Sequence, residues 1–163
     1  MKIIFLDIDG VLNCKATPNP RKFPYIADPL LVARLITVLE RTRARVVLSS
    51  TWRYDPAGLF SAKHWGIPFD DVTPDLPHEP RRKEILTWVE AHPAVSRYAV
   101  LDDEDDELDG LPLFQPSCVT GLTDRIAQGL VDYLNGATEH DMRSSRIVRW
   151  IENLQAIVKR HKG

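Results

Sequence analysis

No stretch of this sequence stays apolar for the roughly 20 residues that a membrane-spanning helix requires. Cysteine is scarce too, with only 2 in 163 residues. Cys14 and Cys118 match no zinc or redox spacing and suit a reducing cytosol. Net charge is almost absent: 21 Lys and Arg against 23 Asp and Glu leave −2. That balance argues against a domain-wide basic field for nucleic acid, though a local patch remains open. The opening "MKIIFLDI" is too short for the apolar part of a secretion signal and has no cleavage site. Repeats, low-complexity tracts and linkers are also missing. The expectation is a cytoplasmic protein with no membrane partner. At 44% hydrophobic content the chain suits one domain that buries roughly 70% of its unfolded surface.

What is present is an alternation of strands and helices. Lys2 to Ile8 is almost wholly apolar, as a parallel strand buried on both faces should be. A loop rich in Pro and Asn follows, from Asn13 to Ala27. Asp28 and Pro29 then make an N-cap and first helical position, ahead of Leu31, Leu35, Val38 and Leu39 at helical spacing. "ARVVLSST" is a second, β-branched strand ending in hydroxyls. Trp52 to Pro80 reads as irregular apart from a short helix around Ala57 to His64. "PRRKEILTWVEAH" is a helix stopped by Pro93, and "RYAVLDDEDD" a third strand running into acids. A weaker strand, "LPLFQ", precedes a helix capped by Thr123 and ended by Gly136. Ile147, Trp150, Ile151, Leu154 and Val158 form the stripe of a last amphipathic helix. The expected fold is α/β: a three-layer, Rossmann-like parallel sheet with helices on both faces. Its catalytic domain spans 1–137, and 138–163 forms an extra C-terminal helix.

In such sheets ligands bind beyond the carboxyl ends of the strands. Asp7 and Asp9 follow the first strand, Ser49 and Ser50 the second, and Asp102 and Asp103 the third long one, while Lys83 opens a helix. Carboxylates gathered this way form a hard oxygen site suited to Mg²⁺. A lysine and a hydroxyl beside that ion are what a phosphoryl group needs to be neutralised and oriented. One aspartate can then attack phosphorus, and a second carboxylate can move the proton.

"FLDIDGVL", the hydroxyl after "VVL", Lys83 in "RRKEI" and "VLDDEDD", in that order, resemble the four motifs of the haloacid dehalogenase superfamily of phosphatases. More narrowly, "DIDGVLN" with "LSSTWR" and "VLDD" resembles small members associated with RNA-repair polyproteins. The resemblance covers roughly Met1 to Asn135. It implies Asp7 as nucleophile and Asp9 as general acid/base. Asp7, the backbone carbonyl of Asp9, and Asp102 would hold Mg²⁺, with Asp103 or Asp106 adding a water-mediated contact. Lys83 would stabilise the phosphoryl oxygens. Ser49, Ser50 and Thr51 are adjacent hydroxyls; Ser50 is favoured because Ser49 reads as the last residue of its strand. An aspartate at position 9 points to phosphate ester hydrolysis, since the superfamily's dehalogenases lack that acid/base.

Several of these residues carry a plainer reading as well. Asp7 and Asp9 could form a turn, although two acids ending a buried strand are costly without a partner. Lys83 alone could lie on a solvated helix face. Arg53 in "TWR" could fork onto a phosphate or pair at the surface with Asp55. The five histidines show no ligand spacing, and Cys14 has no base partner. The basic residues of the last helix read as a solvated face or, less simply, as a nucleic-acid contact; that helix is also a candidate homodimer interface. A cap domain would have to fit in Asn13–Ala27 or in Trp52–Arg82, and neither can hold a sizeable core. An open site favours a bulky phosphate ester, such as a polynucleotide end or a phosphoprotein, over a small metabolite or nucleotide. A receiver-like phosphoacceptor places its acid pair first and its lysine last, whereas here Lys83 precedes Asp102 and Asp103. A non-catalytic binding module is disfavoured because no motif position is missing.

Overall fold

The structure, a computed structural model, describes residues 1–105 and 107–136. The helix expected over 138–163, the homodimer through it, and Asp106 therefore lie outside the described residues. Five strands form one parallel sheet: β1 (Lys2–Leu6), β2 (Arg45–Leu48), β3 (Asp71–Val72), β4 (Arg97–Leu101) and β5 (Leu113–Phe114). Their spatial order is β3-β2-β1-β4-β5, so the direction of progression reverses between β1 and β4. Phe5 lies level with Val47 on one side and Val100 on the other. That reversal is the topological switch point at which open α/β sheets bind ligands.

Alternate residues of β1 serve two separate cores, because successive strand side chains point to opposite faces. Ile4 and Leu6 join Val46, Leu48 and Leu101 against α1 (Pro29–Thr42), α2 (Pro56–His64) and α4 (Asp124–Leu134). Ile3 and Phe5 join Val47 and Val100 against α3 (Arg81–Ala91), whose Ile85 and Trp88 face them. Phe5 meets the Trp88 ring edge-on at a centroid separation of 5.5 Å. Burying each such large side chain is worth about 1.5–3 kcal/mol, which is why β1, apolar from Ile3 to Leu6, seats firmly between two helix layers.

Helix boundaries follow their local chemistry. The Asp28 carboxylate accepts the Leu30 N–H at 2.9 Å and starts α1. Arg43, with φ of 58°, ends it in the left-handed region. Thr123 caps α4. Two details depart from expectation. β1 stops at Leu6 rather than Ile8, because the Ile8 carbonyl accepts the N–H groups of Val11 and Leu12 and closes a tight loop. Trp52–Pro80 holds more than α2: a short 3-10 helix, Thr51–Tyr54, runs into its start, and the edge strand β3 lies within it. Between Leu6 and Pro29 there is no helix or strand, and no folded cap stands over the sheet among the described residues. No described helix is long and apolar enough to cross a membrane.

α2 packs closely on the 3-10 helix through Gly58. A Cβ at that position would stand 2.4 Å from the Trp52 carbonyl oxygen, a backbone atom that cannot swing aside. Alanine has the higher helix propensity by about 1 kcal/mol. The contact should nevertheless win, so that Gly58→Ala lowers stability by roughly 1–3 kcal/mol in chemical denaturation.

Candidate active site

β1 and β4 deliver their carboxylates side by side. The Asp7 N–H continues the ladder by donating to the Leu101 carbonyl at 2.9 Å, which brings Asp7 beside Asp102. Asp102 is fully buried and Asp7 is 6% exposed. Asp103, half-buried, completes the group: carboxylate oxygens of Asp7, Asp102 and Asp103 lie within 4.8 Å of one another. Gly10 makes room for the third. Its φ is +68°, and a Cβ there would fall 2.0 Å from an Asp103 carboxylate oxygen. A side chain at position 10 would thus be strained in its backbone and would also expel Asp103.

The cation set against these acids is Arg81. Its Nη1 donates to Asp102 Oδ2 and lies 3.7 Å from Asp7 Oδ1. One guanidinium does not balance three clustered carboxylates. Burial pushes the Asp7 carboxyl from 3.8 up to about 7, with Asp102 and Asp9 adding to the rise and Arg81 and the Ser50 hydroxyl opposing it. Asp103 is raised as well, by burial and then by Asp102 and Glu104. A set of close, hard oxygen donors carrying uncompensated negative charge fits a divalent cation such as Mg²⁺, and these residues could hold one.

Lys83 is not part of this group. It is exposed at the third position of α3, and its ammonium makes no hydrogen bond or ion pair among the described residues. Residues two apart on a helix point about 200° away from each other, so Arg81 and Lys83 cannot both face the carboxylates. The structure thus brings Arg81, and not Lys83, to the acidic group. A signal for this was available: Ile85 and Trp88 mark the inward face of α3, and one turn earlier on that face stands Arg81.

Arg53 also sits outside the acidic group. It reaches neither the carboxylates nor Asp55 but forms a buried ion pair with Glu84 of α3. Its Nη1 also donates to the Ser50 carbonyl at 2.9 Å, and Tyr54 Oη donates to Glu84 Oε1 at 3.0 Å. Asp55 instead accepts from Tyr25 Oη at 2.6 Å and caps α2 through Ala57 N–H. Arg53 thus braces the serine turn from beneath. Within that turn the Ser50 hydroxyl faces Asp7, whereas the Ser49 hydroxyl is buried without a hydrogen-bond partner among the described residues. Asp9 stands apart from the acidic group, exposed, with its carboxylate oxygens accepting from Asn13 and Trp52. Asn13 and Trp52 lie within the stretches "DIDGVLN" and "LSSTWR", yet the sequence pattern gives neither a role.

Two measurements test this electrostatic arrangement. An acid whose pKa is raised by folding stabilises the fold fully below its unfolded value of 3.8 and loses that contribution as pH rises through about 7. In metal-free protein, Asp7→Asn should therefore become progressively more stable than wild type as pH climbs across that window, as followed by thermal melts. Glu84→Ala would leave the Arg53 charge buried and unpaired. A loss of about 3–5 kcal/mol is expected in urea unfolding, against little for the exposed Lys83→Ala.

Comparison with known proteins places residues 3–127 in one family, described as the HAD domain in Swiss Army Knife RNA repair proteins. No curated protein and no solved structure matches the chain. The match takes in the strand ends carrying Asp7, Ser50, Asp102 and Asp103, and the start of α3. The chain belongs to the family of HAD domains of Swiss Army Knife RNA repair proteins, and with them to the haloacid dehalogenase superfamily of phosphatases, the phosphoric-monoester hydrolases.

Proposed function

We propose that this phosphatase works through an aspartyl-phosphate formed on Asp7, that it depends on Mg²⁺, and that it acts on a bulky phosphate ester, foremost a polynucleotide end. The observation that carries this reading is the convergence of Asp7, Asp102, Asp103 and Arg81 at the switch point of the sheet. Asp7 and Asp102, with Asp103 beside them and the Asp9 carbonyl, would hold the ion, which when bound supplies charge neutralisation and polarisation of the phosphoryl group.

In the first step an Asp7 carboxylate oxygen bonds to phosphorus as the bond to the ester oxygen breaks. A proton from the Asp9 carboxyl passes to that departing oxygen, releasing the alcohol. In the second, a water oxygen bonds to phosphorus, its proton goes to the Asp9 carboxylate, and the bond to Asp7 breaks to release phosphate. Arg81 and the Ser50 hydroxyl orient the non-bridging oxygens. Ser49 holds the turn through its backbone. Its N–H donates to the Leu6 carbonyl, and its own carbonyl accepts from Arg53.

Support for a bulky substrate comes from the exposure of Asp9 and from intervals too short for a cap. The family's association with RNA repair favours a nucleic-acid end among such substrates. The free thiols of Cys14 and Cys118 suit a cytoplasmic setting.

Magnesium-dependent release of phosphate from phosphorylated oligonucleotides, compared with nucleoside monophosphates and phosphopeptides, tests the reading. Oligonucleotide ends should be the best substrates by kcat/KM; a clear preference for free nucleotides would remove the bulky-substrate part. Asp7→Asn should abolish turnover. Arg81→Ala should lower kcat/KM by about 10²-fold or more, and Lys83→Ala by far less. EDTA should silence the enzyme and Mg²⁺ restore it.

A further inference from the structure

Asp9 is the exposed member of the site, and an exposed carboxylate normally samples several rotamers. Here both of its oxygens are engaged, by groups from two different elements. Asn13 Nδ2 donates to Asp9 Oδ1 at 2.7 Å, and the Trp52 indole Nε1 donates to Asp9 Oδ2 at 2.8 Å. Each donor is itself fixed. The Asn13 side-chain oxygen accepts the Gly10 N–H at 3.0 Å, and Nδ2 also donates to the Ile26 carbonyl at 2.9 Å. Trp52 is 2% exposed, and Tyr25 packs edge-on against its ring at 5.0 Å. Asp55 in turn holds Tyr25 through the phenol.

The geometry points to Trp52 and Asn13 as positioning residues that lock the Asp9 carboxyl in one orientation for proton transfer to the departing oxygen. This inference rests on the aspartyl-phosphate reading. Each carboxylate oxygen has two lone-pair directions, so one donor on each leaves a site for the mobile proton. Trp52 also follows Ser50 by two residues, and its N–H bonds the Ser50 hydroxyl oxygen at 3.4 Å. The orientation of the proton carrier is thereby tied to the turn that faces Asp7.

The test is the dependence of rate on the leaving group. An alkyl phosphate needs its departing oxygen protonated, whereas 2,4-dinitrophenyl phosphate does not. Trp52→Phe keeps an aromatic ring in the core and deletes the donor, together with part of the indole's buried volume. It should lower kcat/KM about 10-fold or more on a simple alkyl phosphate and change it less than about threefold on the dinitrophenyl ester. Asn13→Ala, which removes the other donor without touching the buried ring, should show the same selectivity if Trp52→Phe folds poorly. In an Asp9→Asn background either substitution should cost nothing more on either ester, because its effect runs through Asp9. Equal losses on both esters, no loss, or losses additive with Asp9→Asn would overturn the assignment. If Asp7→Asn is dead and the losses are equal, the positioning role alone fails. If Asp7→Asn retains activity, the aspartyl-phosphate reading fails and takes this one with it.

Discussion

Like charge held out of water is the constraint on which this molecule is organised. Asp7 and Asp102 end neighbouring strands of one parallel sheet, and the ladder between β1 and β4 leaves them no freedom to separate. Two ionised carboxylates buried together repel strongly in a medium that screens poorly. Arg81 relieves part of that repulsion, while burial, with Asp102 adding to it, holds the Asp7 carboxyl well above the usual carboxylate range. Close carboxylates that repel one another are also the donors that could hold a divalent cation.

Much of the surrounding structure maintains that arrangement. α3 carries Arg81 on its first turn, and its depth is set by Ile85 and Trp88 packing on Phe5. The same helix anchors the serine turn through Glu84 and Arg53. A buried ion pair of this kind adds little net stability against an apolar alternative, but it permits few other packings. Here it keeps the second strand's loop in register with the helix that supplies the cation. Gly10 acts on the other side, where its missing side chain leaves the space that Asp103 fills.

The fold was legible because apolar runs, caps and stops agreed with one another. β1, apolar after Lys2, demanded two covering layers, and Asp28-Pro29 and Thr123 marked helix starts that the structure places within a residue. The acids were legible for the same reason, since each followed a strand. What escaped was short or mutual. β3 is two residues long and has no period to detect. Arg53 reads as a phosphate ligand or a partner of Asp55, because Glu84, with which it pairs, is 31 positions away and only the packing of α3 brings it near. Lys83 stands out in the sequence by residue type and motif order, whereas the direction of the helix face brings Arg81 to the carboxylates. Asn13 and Trp52 are ordinary residues in a sequence, and only the distances to Asp9 give them a part.

The sheet also ends in an unusual way on both sides. β3 and β5, the two outermost strands, are each two residues long. A parallel sheet exposes a row of unpaired amide and carbonyl groups along each margin, and a long, flat margin invites a strand from another molecule. Margins this short present too few groups for such a strand to hold in register. The five-residue strands that lead to the clustered carboxylates sit inside them, shielded from intermolecular pairing by neighbours too small to template it. Abbreviated borders thus protect the protein against aggregation, at no cost to the interior ladder that its chemistry requires.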